Sequence, residues 1–249
     1  MAADSDGCLI LVPTYNERNN VGPLLTGIFE QGLDFDVLFI DDNSPDGTGE
    51  VLDELAKQYE PHVHVLHRPG KLGIGSAHRD GIRWAYAHHY PALITMDSDF
   101  AHPPAYLPAL LAAGQGHDVV IGSRYLERDS LTAWSLFRTV LARAGHFLTV
   151  TMLRMPFDAT VAFRYYRLDT MPPGVFDLVR SSSYSFFFES LFVLNLNGFA
   201  IDQIPIHPLS RTSGTSKMAS RDVATSIGFL LLLCAEKYLR PWRLRLRTA

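Results

Sequence analysis

The sequence predicts an α/β fold with a mainly parallel central sheet flanked by helices, on three observations. Short runs that are apolar at nearly every position recur through the first half of the 249-residue chain, as strands covered on both faces require. Amphipathic segments of helical period separate them. Each strand-helix-strand stretch is long enough for a crossover, and such crossovers lay strands parallel with a right-handed turn.

The elements follow in order. The first strand falls at 8–12 (CLILV) and ends in the polar PTYNE; an amphipathic helix at 20–31 returns the chain. The second strand, 36–40, runs into DDNSPDGTG, with a helix at 49–59. The third, 63–66, ends in HRPGKLGIG and leads to a helix at 76–89. The fourth, 92–96, ends in DSD, and Pro103 and Pro104 precede a helix at 106–113. The fifth, 118–121, ends in GSRY. Beyond it the pattern loosens. Residues 136–153 read as a helix, 161–166 as a strand, 186–196 as a helix and 199–206 as a strand. Neither an internal repeat nor a low-complexity linker divides the sequence, so one compact domain is expected.

Bulk properties narrow the function. The hydrophobic content of 47% supplies a real core, and a net charge of −4 lacks the footprint of a nucleic-acid binder. Cys8 and Cys234 each sit in an apolar run without zinc spacing and read as small buried hydrophobes. The acidic N-terminus, with its short apolar run, does not resemble a secretory leader, so an intracellular protein is expected. Gly73-Ile-Gly75 is followed by His78, and Gly47-Thr-Gly49 by Leu52, so neither completes a dinucleotide fingerprint. Gly70-Lys71 is followed by Leu72 rather than Ser or Thr, and no G-x-S-x-G elbow occurs. The ten histidines lack partners at ligand spacing and read as ordinary surface or half-buried residues.

In sheets of this kind ligands bind beyond the carboxyl ends of the strands. The fourth strand ends in two carboxylates one residue apart, Asp97 and Asp99, and charges at the end of a buried strand are costly unless paired. They can converge on one divalent ion, and carboxylate oxygens suit Mg2+ or Mn2+, which fill their shells with water and phosphate oxygens. The alternative is one Asp as a helix cap and the other as an ion-pair partner.

The blocks LVPTYNERNNV, FIDDNSPDGTGEVLDEL, RPGKLGIGSAHRDG, MDSDFAHPP, GSRY, DATVAFRYYR and RTSGTSKM together resemble the family 2 glycosyltransferases of the GT-A fold. More closely, they are similar to the polyprenol-phosphate mannose synthases. The resemblance implies a single GT-A domain over 1–220, followed at 221–249 by an apolar helix and basic tail. It implies that Pro13, Tyr15, Glu17, Asp41, Asp97 and Ser98 bind a nucleotide sugar, GDP-mannose above others. Asp97 and Asp99 would hold the metal. Arg124, Arg138, Arg211 and Lys217 would clamp an acceptor phosphate, and Asp99, Arg124, Arg138 and Lys217 would carry catalysis. Asp41 also has a plain reading as a turn former beside Pro45 and Gly47.

The implied reaction is inverting, metal-dependent transfer of a sugar to a polyprenyl phosphate. A phosphate nucleophile is already anionic and needs cations to hold it in line rather than a general base. Guanidinium forks suit that task. Glu189 in YSFFFES is open to two readings, a base for a hydroxyl acceptor or a structural carboxylate, and the phosphate clamp favours the second. Three departures from the family pattern fall near the sugar or acceptor: Ala101, Ala142 and the apolar Val161-Ala162. They keep alive a GT-A enzyme acting on a soluble acceptor such as a natural-product scaffold. A non-catalytic nucleotide-sugar-binding subunit is a third reading, disfavoured by the intact Asp97 and Asp99.

Residues 223–235 are thirteen uncharged residues, short of the roughly 20 that span a bilayer. The following EKYLRPWRLRLRTA interleaves Arg with Leu, Tyr and Trp. It reads either as a core helix with a frayed basic tail or as an interfacial segment resting on anionic lipid at the cytoplasmic face of a membrane.

Overall fold

The computed structural model describes residues 7–127, 136–209 and 220–246, except the side chains of residues 137, 138 and 220. Seven strands form one sheet: β1 Cys8–Thr14, β2 Phe35–Asp41, β3 Val63–His67, β4 Ala92–Thr95, β5 Val119–Ser123, β6 Arg164–Arg167 and β7 Ile201–Pro205, in the order β3-β2-β1-β4-β6-β5-β7. All pairs are parallel except those of β6, which runs antiparallel between β4 and β5. Every residue of β1 is buried, which is why its sequence is a continuous apolar run rather than an alternating one.

The crossover helices are α1 Val21–Phe29, α2 Thr48–Gln58, α3 Ile74–Ala87 and α4 Leu107–Gly114. The second half adds α5 Leu136–Leu148, α6 Gly174–Asp177, α7 Ser185–Leu196 and α8 Ser220–Leu239. α3 lies close over the sheet because Gly81 faces Leu11 and Ile40, where a Cβ would collide. α7 is buried all round from Ser185 to Leu194, so its apolar character carries no facial period.

The first-half elements lie within about two residues of their expected places. Two others differ. β6 begins at Arg164 rather than 161, because the preceding chain turns its groups to other partners: the Thr95 hydroxyl donates to the Ala162 carbonyl. The helix expected over 136–153 is α-helical only to Leu148. It continues as a π-helical turn, Thr149–Leu153, and ends at Arg154 in a left-handed conformation (φ 59°). The Thr149 and Thr151 hydroxyls donate back to the carbonyls of His146 (2.9 Å) and Phe147 (2.7 Å), and such back-bonding competes with regular helix geometry.

The C-terminal segment packs on the domain as far as Leu246, the last described residue. Pro241–Leu244 form a 3-10 turn with Leu244 buried. Asn197 donates to the Leu244 carbonyl and accepts from the Leu246 amide, both at 2.8 Å. Among the described residues no helix is long and apolar enough to cross a membrane.

Candidate active site

The carboxyl ends of β1, β2, β4 and β5 converge on one rim of the sheet. At the end of β1, Pro13 and Thr14 are buried, and the Thr14 hydroxyl donates to the Ile40 carbonyl on β2 (3.1 Å). The chain then turns through Asn16 at φ 56°. The Glu17 amide donates to Thr48 Oγ1 (2.9 Å), and its carboxylate accepts from Asn20 Nδ2 (2.6 Å). Tyr15, half-buried, lies beneath Lys71, whose Nζ is 4.5 Å from the ring centroid.

Asp41 ends β2 with its carboxylate buried. It accepts from the Ser44 hydroxyl (2.5 Å) and amide (3.2 Å) and lies 3.8 Å from His67 Nδ1. Asp42 pairs with Arg68 (2.8 Å), a buried arginine that also donates to Ser76 Oγ (2.5 Å) and approaches Asp80 (3.3 Å). Burial raises the Asp42 pKa, an effect opposed by Arg68. Arg68 sits in the HRPG stretch, and its role is invisible without its partners.

At the end of β4 the ladder runs one residue further, with the Met96 amide donating to the Leu11 carbonyl (3.1 Å). The chain then folds sharply through Ser98, Asp99 and Phe100, the last at φ 61°. Two bonds hold this turn. The Ala101 amide donates to Asp99 Oδ1 (3.1 Å), and the Asp97 amide donates to His102 Nδ1 (3.1 Å). His102 is buried flat against Phe163 of the chain entering β6, with centroids 5.1 Å apart and planes at 7°. Burial lowers the His102 pKa and the nearby Asp97 and Asp99 charges oppose this; the Asp97 amide bond makes Nδ1 the acceptor. Asp99 is buried, whereas 36% of the Asp97 side chain is exposed. Sequence reading missed His102 because nothing local distinguishes it from the other histidines.

Among the described residues no group of three or more His, Cys, Asp or Glu converges as a metal site. A cation at Asp97 and Asp99 would therefore rest on two carboxylates and complete its shell from water and phosphate oxygens. This all-oxygen, protein-poor set fits Mg2+ or Mn2+.

Arg124 follows β5. Its Nε and Nη2 donate to Asp158 at 2.7 and 2.6 Å, and Nη2 also donates to Thr160 Oγ1 at 2.6 Å. Burial disfavours the guanidinium, but Asp158 outweighs it and raises the Arg124 pKa; the Asp97 charge acts in the same direction. Reciprocally, burial alone would raise the Asp158 pKa, and Arg124 holds it below the usual carboxylate range. The next residue, Tyr125, donates its hydroxyl to the Ala142 carbonyl (2.9 Å) and stacks on His146 (4.1 Å). It thereby fixes α5, the helix that carries Arg138. Ser98 is buried beside the acidic pair. Arg211, Lys217 and the side chain of Arg138 lie outside the described residues.

Glu189 on α7 has a wholly buried carboxylate. Its Oε2 accepts the backbone amides of Arg180 (3.1 Å) and Ser181 (2.8 Å), and its Oε1 is 3.6 Å from Arg180 Nε. Arg180 also pairs with Glu236 on α8. The carboxylate thus binds a loop and, through Arg180, the last helix.

The family profile described as Glycosyl transferase family 2 matches residues 9–187. An undecaprenyl-phosphate mannosyltransferase of Micrococcus luteus is 37% identical over 221 residues, covering 88% of this chain and 90% of that protein. A polyprenol monophosphomannose synthase of Mycolicibacterium smegmatis is 35% identical over 218 residues, covering 86% and 82%. Among solved structures, glucosyl-3-phosphoglycerate synthase of Mycobacterium tuberculosis, in complex with Mn2+, UDP and phosphoglyceric acid, superimposes with a TM-score of 0.68. It is 16% identical, and the match covers 94% of this chain and 81% of that one. A mannosyltransferase of Pyrobaculum calidifontis, in complex with GDP-mannose and Mn2+, gives a TM-score of 0.52 at 15% identity, covering 96% and 72%.

Proposed function

The chain belongs to glycosyltransferase family 2, and from that premise we propose that it transfers mannose from GDP-mannose to a polyprenyl phosphate with inversion at the anomeric carbon. The observation that supports this reading is the placement of Asp97 and Asp99 after β4 and of Arg124 after β5 on the same rim of the sheet. The acids suit a diphosphate-bound cation and the guanidinium suits an acceptor phosphate. The two polyprenyl-phosphate mannose transferases similar to nearly the whole chain support it.

In this reading the first-strand turn (Pro13, Tyr15, Glu17) and Asp41 cradle the nucleoside, and Asp97 and Ser98 lie toward the ribose. Asp97 and Asp99 would hold a divalent cation, Mg2+ or Mn2+, which would supply Lewis-acid stabilisation of the departing diphosphate. Arg124 and Arg138, with Arg211 and Lys217, hold the acceptor phosphate so that its oxygen lies in line with the anomeric carbon. The phosphate oxygen-to-carbon bond forms as the carbon-to-diphosphate bond breaks, and no proton must be removed. Glu189, committed to the 180–181 loop, is not required as a base.

The test supplies purified protein with radiolabelled GDP-mannose or UDP-glucose, a short-chain polyprenyl phosphate and Mg2+ or Mn2+. Label should enter the extractable lipid from GDP-mannose alone and require both the lipid phosphate and the cation. Label found only in water-soluble products would overturn the acceptor assignment.

The acceptor implies a membrane surface, and we place the contact at the C-terminal helix and tail. Ile227, Leu231, Leu232, Tyr238 and Leu239 of α8, with Trp242, are exposed apolar side chains, interleaved beyond Lys237 with Arg240, Arg243 and Arg245. Apolar side chains set among cations suit an anionic lipid surface at the cytoplasmic face. Because Leu244 is packed, substitutions are a cleaner probe than deletion. Combining Trp242→Ala with Arg240→Gln and Arg245→Gln should weaken flotation with anionic vesicles about tenfold or more at low salt, since each cation near such a surface contributes about 1 kcal/mol. Undiminished flotation would remove the tail from the interface.

A further inference from the structure

We propose that Asp158 is a positioning residue for transfer, fixing the Arg124 guanidinium on the rim it shares with the acidic end of β4. The inference rests on the phosphate-acceptor reading above. Asp158 lies on the loop before β6, and its side chain is completely buried. It meets Arg124 through three bonds: Oδ2 accepts the Arg124 amide (3.1 Å) and Nε (2.7 Å), and Oδ1 accepts Nη2 (2.6 Å). Thr160 accepts from the same Nη2. Asp158 is itself anchored, its amide donating to Gln203 Oε1 on β7 (2.9 Å).

These contacts define the guanidinium plane and the direction of Nη1. Arg124 follows β5 and the acidic pair follows β4 on the same rim, and the chain between them bonds to both strands, the Thr95 hydroxyl donating to the Ala162 carbonyl and the Gly122 amide to the Phe163 carbonyl (3.0 Å). A buried ion pair is a poor source of net stability compared with apolar packing, so stability alone gives weak reason for this pair. Planar recognition of a phosphate gives a strong one, because a fork is useful only when its plane is set. The residue after Arg124, Tyr125, donates to the Ala142 carbonyl on α5 (2.9 Å), so the segment that Asp158 anchors also meets that helix.

Asp158→Asn keeps the shape and one acceptor but removes the charge and turns an amide N–H toward Arg124. The acceptor KM should rise, or kcat fall, by about tenfold to a hundredfold, the scale of an ångström-level misplacement. GDP-mannose affinity, measured by calorimetry, should stay within about twofold. Thr160→Ala, which removes one bond, should shift the acceptor parameters the same way by less. In an Arg124→Lys background, Asp158→Asn should add little, because Asp158 acts through Arg124.

A melting temperature that falls with no change in acceptor KM or kcat would overturn the inference. So would parallel losses of donor affinity and acceptor kinetics. Wild-type protein that transfers nothing to polyprenyl phosphate overturns the reading beneath it instead, and is recognised before any variant is compared.

Discussion

Asp99→Asn should reduce mannosyl transfer about a thousandfold or more while leaving the protein folded. The loss corresponds to the several kcal/mol that a Lewis acid contributes to a developing anion, at 1.36 kcal/mol for each factor of ten. The substitution separates charge from architecture. Asp99 Oδ1 accepts the Ala101 amide within the turn, and an asparagine oxygen can accept the same bond. The turn should persist, closed by the Asp97 amide on His102, while one anionic ligand disappears. Donor binding titrated with and without Mn2+ should show the cation's contribution lost, and the melting temperature should stay within about 2 °C. Full activity in Asp99→Asn would remove the acidic pair from the mechanism.

Arg180→Met should cost about 2–3 kcal/mol of stability, seen as a melting temperature lower by about 5–10 °C. Arg180 is the cation between Glu189, whose side chain is fully buried, and Glu236, whose side chain is 7% exposed. Removing it leaves the buried Glu189 carboxylate with backbone amides and no cation, and Glu236 with the more distant Arg243 (3.6 Å). The figure lies below that for a fully buried pair because the Arg180 side chain is 40% exposed, so water can reach the vacated space. The effect should depend on pH with a definite sign. Burial raises the Glu189 pKa above its ordinary value of 4.5, and Arg180 and two backbone amides oppose this. A carboxyl with a raised folded pKa makes the folded state bind more protons than the unfolded state between the two values, so stability falls as pH rises through that window. Without Arg180 the window widens upward. The defect should therefore be largest in mildly alkaline buffer and shrink toward about pH 5, as urea unfolding across pH will show. A pH-independent defect would mean that lost packing, not stranded charge, is responsible.

What could be read from the sequence follows the range of the interactions involved. β1, β2 and the helices between the first strands were legible because burial on both faces writes itself locally as unbroken apolar runs. β7 was harder, being an edge strand only partly buried along its length. The antiparallel direction of β6 could not be read at all, because it depends on which strands it enters between. The same division holds at the site. Asp97 and Asp99 announce themselves by spacing at a strand end. His102, Arg68 and Asp158 lie inside blocks that carry the family resemblance, but each acquires meaning only from a distant partner: Phe163, Asp42 and, 34 residues away, Arg124.

The reversed β6 has a spatial consequence. Because it is inserted between β4 and β5, the tips of those strands stand two inter-strand spacings apart, about 10 Å. The chain entering β6 fills that interval and bonds to both sides, the Thr95 hydroxyl donating to the Ala162 carbonyl and the Gly122 amide to the Phe163 carbonyl (3.0 Å). A chain that paired β4 directly with β5 would bring the acidic end of β4 and Arg124 closer by one strand spacing.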